Sequence, residues 1–510
     1  MFRIPKFLKR KREDSVDPQE DRIVINDGKD VIRVAIMRKG KLDDFFVQEK
    51  SQNRITGNIY KGRVEKIVKS IQAAFVNIGL SRNGFLHISD IHMRIIEDEE
   101  VKERRENFGR KPIEDMLKEG QMVLVQVIKD YIGTKGVRLS TNISLPGRYI
   151  VVMPGSMSQK RISRKIKDKK ERERLKTIIE EFPVFDSASV IVRTAAENKN
   201  RKIIHRDLKN LQSLWEQIGK QSERVTQVGL IHEELDIAKR VVRDMLTEDI
   251  VSVVVDTKEK YDDIQKFIKV IAPQMKYRIK QYKGVQNIFS RFGIEKEFQK
   301  VFDKKIWLKC GGYIVIEKTE ALVSVDVNTG RNVSGSNDEE TIFQTNLEAT
   351  DEIARQLRLR NLGGIIIIDY IDMKAQKHRR EIFKKLKEEL SKDKSKTTIY
   401  PFTKLGLLQM TRQRVEESWE KTFFDECPRC QGSGRIKSIA MITSEVTDKL
   451  KAFLSRQRGV LAVVRANPEI INNLIADKVF DEIEREYNTE ISYLKDEDLD
   501  IEKYEIVQRG

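Results

Sequence analysis

Residues 364–373 read GIIIIDYIDM. Four isoleucines in a row are the pattern of a strand buried on both faces, as in a parallel sheet covered by helices. The run ends in Asp369, with Asp372 three positions on. A carboxylate at the end of a buried strand needs something that compensates its charge. A second acidic strand lies upstream, ALVSVDVNTG at 321–330. Side chains alternate along a strand, so Ser324, Asp326 and Asn328 share one face and Val323, Val325 and Val327 the other. Between the two runs, Phe343, Leu347, Ile353 and Leu357 fall near helical spacing among charged residues, which predicts an amphipathic helix. Strand, helix and strand, with Gly363 and Gly364 before the second strand, make a βαβ unit. Parallel pairing would put Asp326 and Asp369 towards carboxyl ends of neighbouring strands, where open α/β sheets place ligands.

Two carboxylates and the amide oxygen of Asn328 are hard oxygen donors. Magnesium takes few of these and completes its octahedron with water. The plainer alternative is that each aspartate caps a following turn or helix. A pair on adjacent strands favours the metal. Asp372 falls opposite Asp369 if the strand continues, so a cap or turn role suits it at least as well.

The chain has 510 residues, more than one core accommodates, and several domains are expected. Lys and Arg number 97 against 80 Asp and Glu, a net charge of +17. That balance points to a polyanionic partner, nucleic acid above all, against the plainer reading of a lysine-biased solvated surface. No stretch is long and apolar enough to span a membrane. The basic opening MFRIPKFLKRKRED lacks the apolar core of a signal peptide and reads as a solvated tail. The 3 cysteines, Cys310, Cys427 and Cys430, are no disulfide framework and fit a reducing cytoplasm.

From Gly57 to about Ser140, short alternating runs punctuated by glycine predict a small antiparallel barrel, interrupted by a polar insertion at 98–120. Residues 160–180 open as a basic linker and become a helix; ASVIVRTAA is a strand and loop; helices at 232–246 and 258–270 flank the strand DIVSVVVD. Phe75 and Phe85 lie among Lys61, Arg63, Lys66, Lys69 and Arg82. Exposed aromatics among bases stack nucleobases while lysines hold phosphates; the alternative is that both rings fill the barrel core. Cys427 and Cys430, in CPRCQGSG, have zinc-knuckle spacing. A closed zinc site wants four ligands and the chain offers no second pair, so a zinc shared by two copies stands against a redox pair or two inert thiols.

Taken together, GNIYKGRV, AAFVNIG, GFLHISDI, VIVRTAA, SVDVNTG, NLEATDEIARQLRLRNLGGIIIIDYIDM and CPRCQGSG resemble the ribonuclease E/G family over about residues 21–510. The resemblance implies an α/β multidomain fold. An S1-like OB-fold barrel (53–141) and a 5′-sensor (142–235) would be embedded in an RNase H-like domain (21–52 and 236–300). A DNase I-like catalytic domain (301–425), a zinc link (426–434) and a small α/β dimerisation domain (435–510) would follow, with a basic tail at 1–20. It implies a magnesium-dependent endoribonuclease acting on single-stranded RNA in rRNA and tRNA processing and mRNA decay, leaving 5′-phosphate and 3′-hydroxyl ends. Asp326 and Asp369 would hold the magnesium, with Asn328 assisting. Phe75, Phe85 and Lys135 match RNA-contacting positions of the barrel, with Lys129 on the same strand and turn. Arg193 and Thr194 match a pocket for a 5′-monophosphate, with Val151 beside it. Cys427 and Cys430 match a zinc site joining a homodimer or homotetramer. The chain departs from the family pattern in a short extra N-terminal tail and in ending at Gly510 without the long disordered scaffold tail of the kind that assembles a degradosome. A rival reading keeps the fold and makes it a non-catalytic RNA-binding or chaperone protein; a pure binder has no need of the carboxylate pair.

Overall fold

The computed structural model describes residues 19–50, 54–91, 112–130, 136–155, 159–182, 188–330, 338–393, 395–413, 423–425, 427–430, 432–456 and 460–508. Lys135, most of the tail and most of the 98–120 insertion lie outside them. The chain divides into two compact units, residues 1–416 and 417–510.

Among the described residues the first unit contains four sheets. One is mixed, in the order Ile279–Gln281, Ser252–Val255, Arg22–Asp27, Val31–Arg38, Lys41–Glu49. Helices Ile237–Met245 and Lys258–Ile271 pack their apolar stripes on one face of it. The second is a barrel of Ile59–Val68, Ala73–Asn77, Gly84–His87, Arg138–Ser140 and Met122–Lys129, closed where the first strand pairs with the last. Its interior is small and tightly filled. A Cβ on Gly62 would stand 2.6 Å from Val76, so only glycine fits there. The third sheet runs Lys160–Ile162, Ala188–Val192, Ile150–Pro154, Leu145–Pro146, beneath the helix Arg201–Arg224. The residues read as a linker at 160–162 are thus an edge strand, too short for a sequence pattern to register.

The fourth sheet carries the two acidic strands. Its order is Lys305–Trp307, Tyr313–Lys318, Leu322–Asn328, Gly364–Asp369, Leu407–Arg412, Thr397–Ile399. Leu322–Asn328 and Gly364–Asp369 are parallel, joined by the helix Asp338–Leu359. That helix ends where Asn361 takes a left-handed φ of 49° and the Leu362 N–H reaches back 3.0 Å to the Leu357 carbonyl. This is a Schellman closure that turns the chain straight into the next strand. Val323, Val325 and Val327 pack with Ile353, Leu357, Ile366 and Ile368 in one core.

The isoleucine run differs from its expectation. Ile366 and Ile368 are fully buried, but Ile365 is 53 % exposed and Asp369 is also exposed. Helices Asp338–Leu359 and Gln376–Ser391 contribute Ile353, Leu357, Ile382 and Leu386 to the core on the valine face, and the acidic face stands open. A continuous apolar run reads the same whether one face is covered or two.

In the second unit, a sheet ordered Ile491–Lys495, Ala462–Ala466, Tyr504–Gln508 packs with helices Ile439–Arg456, Pro468–Ala476 and Val479–Tyr487. No helix among the described residues is long and apolar enough to cross a membrane.

Candidate active site

Asp326 and Asp369 are register partners across the parallel pair. Neighbouring strands run about 4.8 Å apart and partners share a face, so the hydrogen-bond ladder itself sets the two carboxylates side by side. The Asn328 amide donates a 2.8 Å hydrogen bond to Asp326 Oδ2, which leaves its own carbonyl oxygen as a donor atom for a cation. Gly330, φ 63°, lies two residues past this strand, where a Cβ would stand 2.3 Å from the Gly311 carbonyl, so glycine is required for the turn to pack.

Burial, then the charges of Asp326 and Asp372, push the Asp369 carboxyl above its usual range. Asp372 is close enough to act on Asp369, past the strand end, where the sequence left it a cap or turn role. The strand stops at Asp369, and the turn after it brings Asp372 round to the same open depression of about 450 Å³. Among the described residues no group of three or more His, Cys, Asp or Glu side chains gathers as a complete metal cage. Two adjacent carboxylates and an amide oxygen, open to solvent, fit a cation that keeps most of its waters.

On the barrel, Phe75 and Phe85 are register partners with ring centroids 6.1 Å apart at 66°. Neither belongs to the barrel core, which is built from Ala74, Val76, Leu86 and their neighbours. Both rings therefore stand on the outer surface. Register extends the row: Lys66 pairs with Phe75, Phe85 with Arg138, and Arg138 with Lys129. A base, two rings and two more bases thus cross the strands in a line, with Arg138 held by Asp90 at 2.8 Å. Lys61 is otherwise engaged, donating to the Ser222 and Val225 carbonyls at the end of the Arg201–Arg224 helix.

Arg193 follows the strand Ala188–Val192, and Thr194, itself exposed, opens a turn of 3₁₀ helix that ends on the buried Ala196. Arg193 Nη1 donates to the Gly147 carbonyl and to Asp244 Oδ1, both at 2.7 Å. Val151 sits on the next strand, paired with Ile191, and is half-buried. Asp207 is buried and accepts the backbone N–H groups of Arg148, Tyr149 and Ile150, which fixes the segment carrying the Gly147 carbonyl. Neither Asp244 nor Asp207 was visible in the sequence, because nothing local marks a carboxylate whose partner lies some fifty residues away.

In the second unit, Cys427 is exposed and Cys430 half-buried, both as free thiols. The backbone N–H of Cys430, then that of Arg429, and the Cys430 side chain hold the Cys427 thiol below its usual range. A thiol eased towards thiolate is a metal ligand or nucleophile in waiting. Cys310 lies in the first unit, against Thr345.

Comparison with known proteins gives these elements a common origin. Residues 144–415 match the ribonuclease E/G family, 54–142 the S1 RNA binding domain, and 426–510 the thioredoxin-like domain of RNase E/G. The chain is 41% identical to ribonuclease G of Escherichia coli (strain K12) over 444 residues, 87% of this chain and 90% of that one. It is 38% identical to ribonuclease G of Haemophilus influenzae over 88% of this chain and 90% of that one. With ribonuclease E of Haemophilus influenzae it shares 35% identity over 94% of this chain and 51% of that one. The acid pair, the ring-bearing barrel and the cysteine turn therefore sit in a chain that belongs to the ribonuclease E/G family.

Proposed function

We propose that this ribonuclease cleaves single-stranded RNA at Asp326 and Asp369 with a bound magnesium ion. The observation that carries the reading is their register pairing on the open face of the sheet. The Asp326 charge helps raise the proton affinity of Asp369, and a divalent cation relieves that repulsion. Magnesium, when bound, lowers the pKa of a coordinated water and steadies charge on phosphoryl oxygens. The protein's part is positional. Asp326 and Asp369 hold the cation, Asn328 orients Asp326 and adds an oxygen, and the open face admits the strand. The barrel row would stack bases on Phe75 and Phe85 and neutralise phosphates with Lys66 and Lys129.

We assign the 5′-monophosphate to Arg193, Thr194 and the wall around Val151. A guanidinium fixed by Asp244 and a carbonyl is pre-oriented for charge-assisted bonds to a terminal phosphate. Cys427 and Cys430 supply half of a four-thiolate zinc site, and a second copy of the chain would supply the rest, giving a homodimer or homotetramer. The setting is the cytoplasm, with rRNA and tRNA precursors and mRNA as substrates. The test is to incubate the protein with labelled single-stranded RNA, with magnesium and with EDTA, and map the ends. Magnesium-dependent 5′-phosphate and 3′-hydroxyl ends are expected. Cleavage that persists in EDTA removes the metal from the reading.

A further inference from the structure

The open face of the catalytic sheet continues past the acid pair. Asn328 is the register partner of Tyr313, and Tyr313 of Trp307 on the edge strand. Directly opposed residues share a face, so both rings stand on the side that carries Asp326 and Asn328. Their centroids are 5.3 Å apart at 60°. Lys305 places its ammonium 4.3 Å from the Trp307 ring centre and 3.6 Å from that of Tyr313. Neither ring joins the core beneath, which takes Ile314 and Ile316 from the opposite face, and Trp307 is 61 % exposed. Two strand spacings put the Trp307 backbone about 10 Å from that of Asn328.

We propose that Trp307 and Tyr313, with Lys305, form a stacking subsite for a nucleobase of the RNA strand close to the phosphate being cleaved. The proposal rests on the acid pair being the cleavage site. Aromatic faces stack any base, and a neighbouring ammonium can turn to the backbone phosphate, so the subsite grips without reading sequence. RNA is the occupant because the platform is continuous with the acid pair on one sheet face and carries a cation. This platform is separate from the barrel row, which lies on a different sheet.

The test uses the full chain, Trp307→Ala and Trp307→Phe, with a short single-stranded RNA cut at one position. Losing one stacked base should raise KM for Trp307→Ala about fivefold or more with kcat little changed, and Trp307→Phe should keep most of the affinity. Abasic substitutions scanned through the RNA should include one near the cut at which wild type and Trp307→Ala become equal. Equal KM values on intact RNA overturn the subsite. So does a deficit that survives at every abasic position, or a change in sedimentation without a change in KM, which marks a contact between copies. If the wild type cuts nothing, the acid-pair reading fails by itself. RNA binding in EDTA then decides the platform: weaker binding by Trp307→Ala supports it and equal binding overturns it.

Discussion

Arg193 is already paired: its Nη1 lies 2.7 Å from Asp244 Oδ1 and 2.7 Å from the Gly147 carbonyl. The carboxylate fixes the direction of the guanidinium. Arg193→Gln should slow cleavage of 5′-monophosphorylated RNA about tenfold or more, since a hydrogen bond to a charged group contributes roughly 1.5–3 kcal/mol. A 5′-hydroxyl substrate should change little. Asp244→Asn keeps the shape but loosens the hold, and should produce a smaller loss with the same selectivity. Rates on both substrates at fixed salt check this; equal slowing of the two would place Arg193 in the general scaffold.

Asp326→Asn and Asp369→Asn should each reduce cleavage by orders of magnitude, because the several kcal/mol a bound metal supplies in the transition state is lost. Both side chains are exposed, so the variants should melt with the wild type and bind RNA nearly as well. Single-turnover rates beside filter binding separate the two effects. Near-normal rates from both variants would exclude the pair from the chemistry.

Phe75→Ala and Phe85→Ala should each weaken RNA binding by about fivefold to a hundredfold, the range of one stacked base. Because neither ring belongs to the barrel core, thermal stability should barely move. Leu86→Ala, one position away but fully buried, should behave oppositely and cost about 2–5 kcal/mol of stability. Binding and melting curves on the three variants test the assignment of faces.

Replacing Cys427 and Cys430 by serine should release zinc and shift the protein towards monomer. Metal analysis and sedimentation check both. An unmodified protein that is a zinc-free dimer would rule out the shared site.

The start of the Asp369 strand is anchored by a buried ion pair. Arg412, the register partner of Gly364, donates to Asp393 at 2.7 Å, and the two side chains are 4% and 3% exposed. Asp393→Ala should destabilise the chain by about 3–5 kcal/mol, because it strands a buried guanidinium. Chemical denaturation measures this; a loss below about 1 kcal/mol would indicate that the Leu362 carbonyl and Asn361, its other partners, suffice.

Legibility in the sequence followed period. The βαβ unit could be read because valines at every second position and apolar residues at helical spacing leave few alternatives, and both acids fell where that periodicity put them. The barrel rings were harder. Composition favoured burial, yet Ala74 and Val76 on either side of Phe75 already fill the interior face, and strict alternation would have pushed the ring outward. Asp372 was left open between the two faces, because parity applies only while a strand lasts. The open face beside Ile365 could not be foreseen, since it depends on which helices pack where.

Register has one more consequence. A slip of one residue between the strands at Asp326 and Asp369 would turn Val325 or Val327 to water and drive a carboxylate into the layer that holds Ile353 and Leu357. The pairing that buries the valines is the pairing that sets the acids together. A chain caught midway through folding, or misfolded by a slipped strand, therefore carries no assembled acid pair.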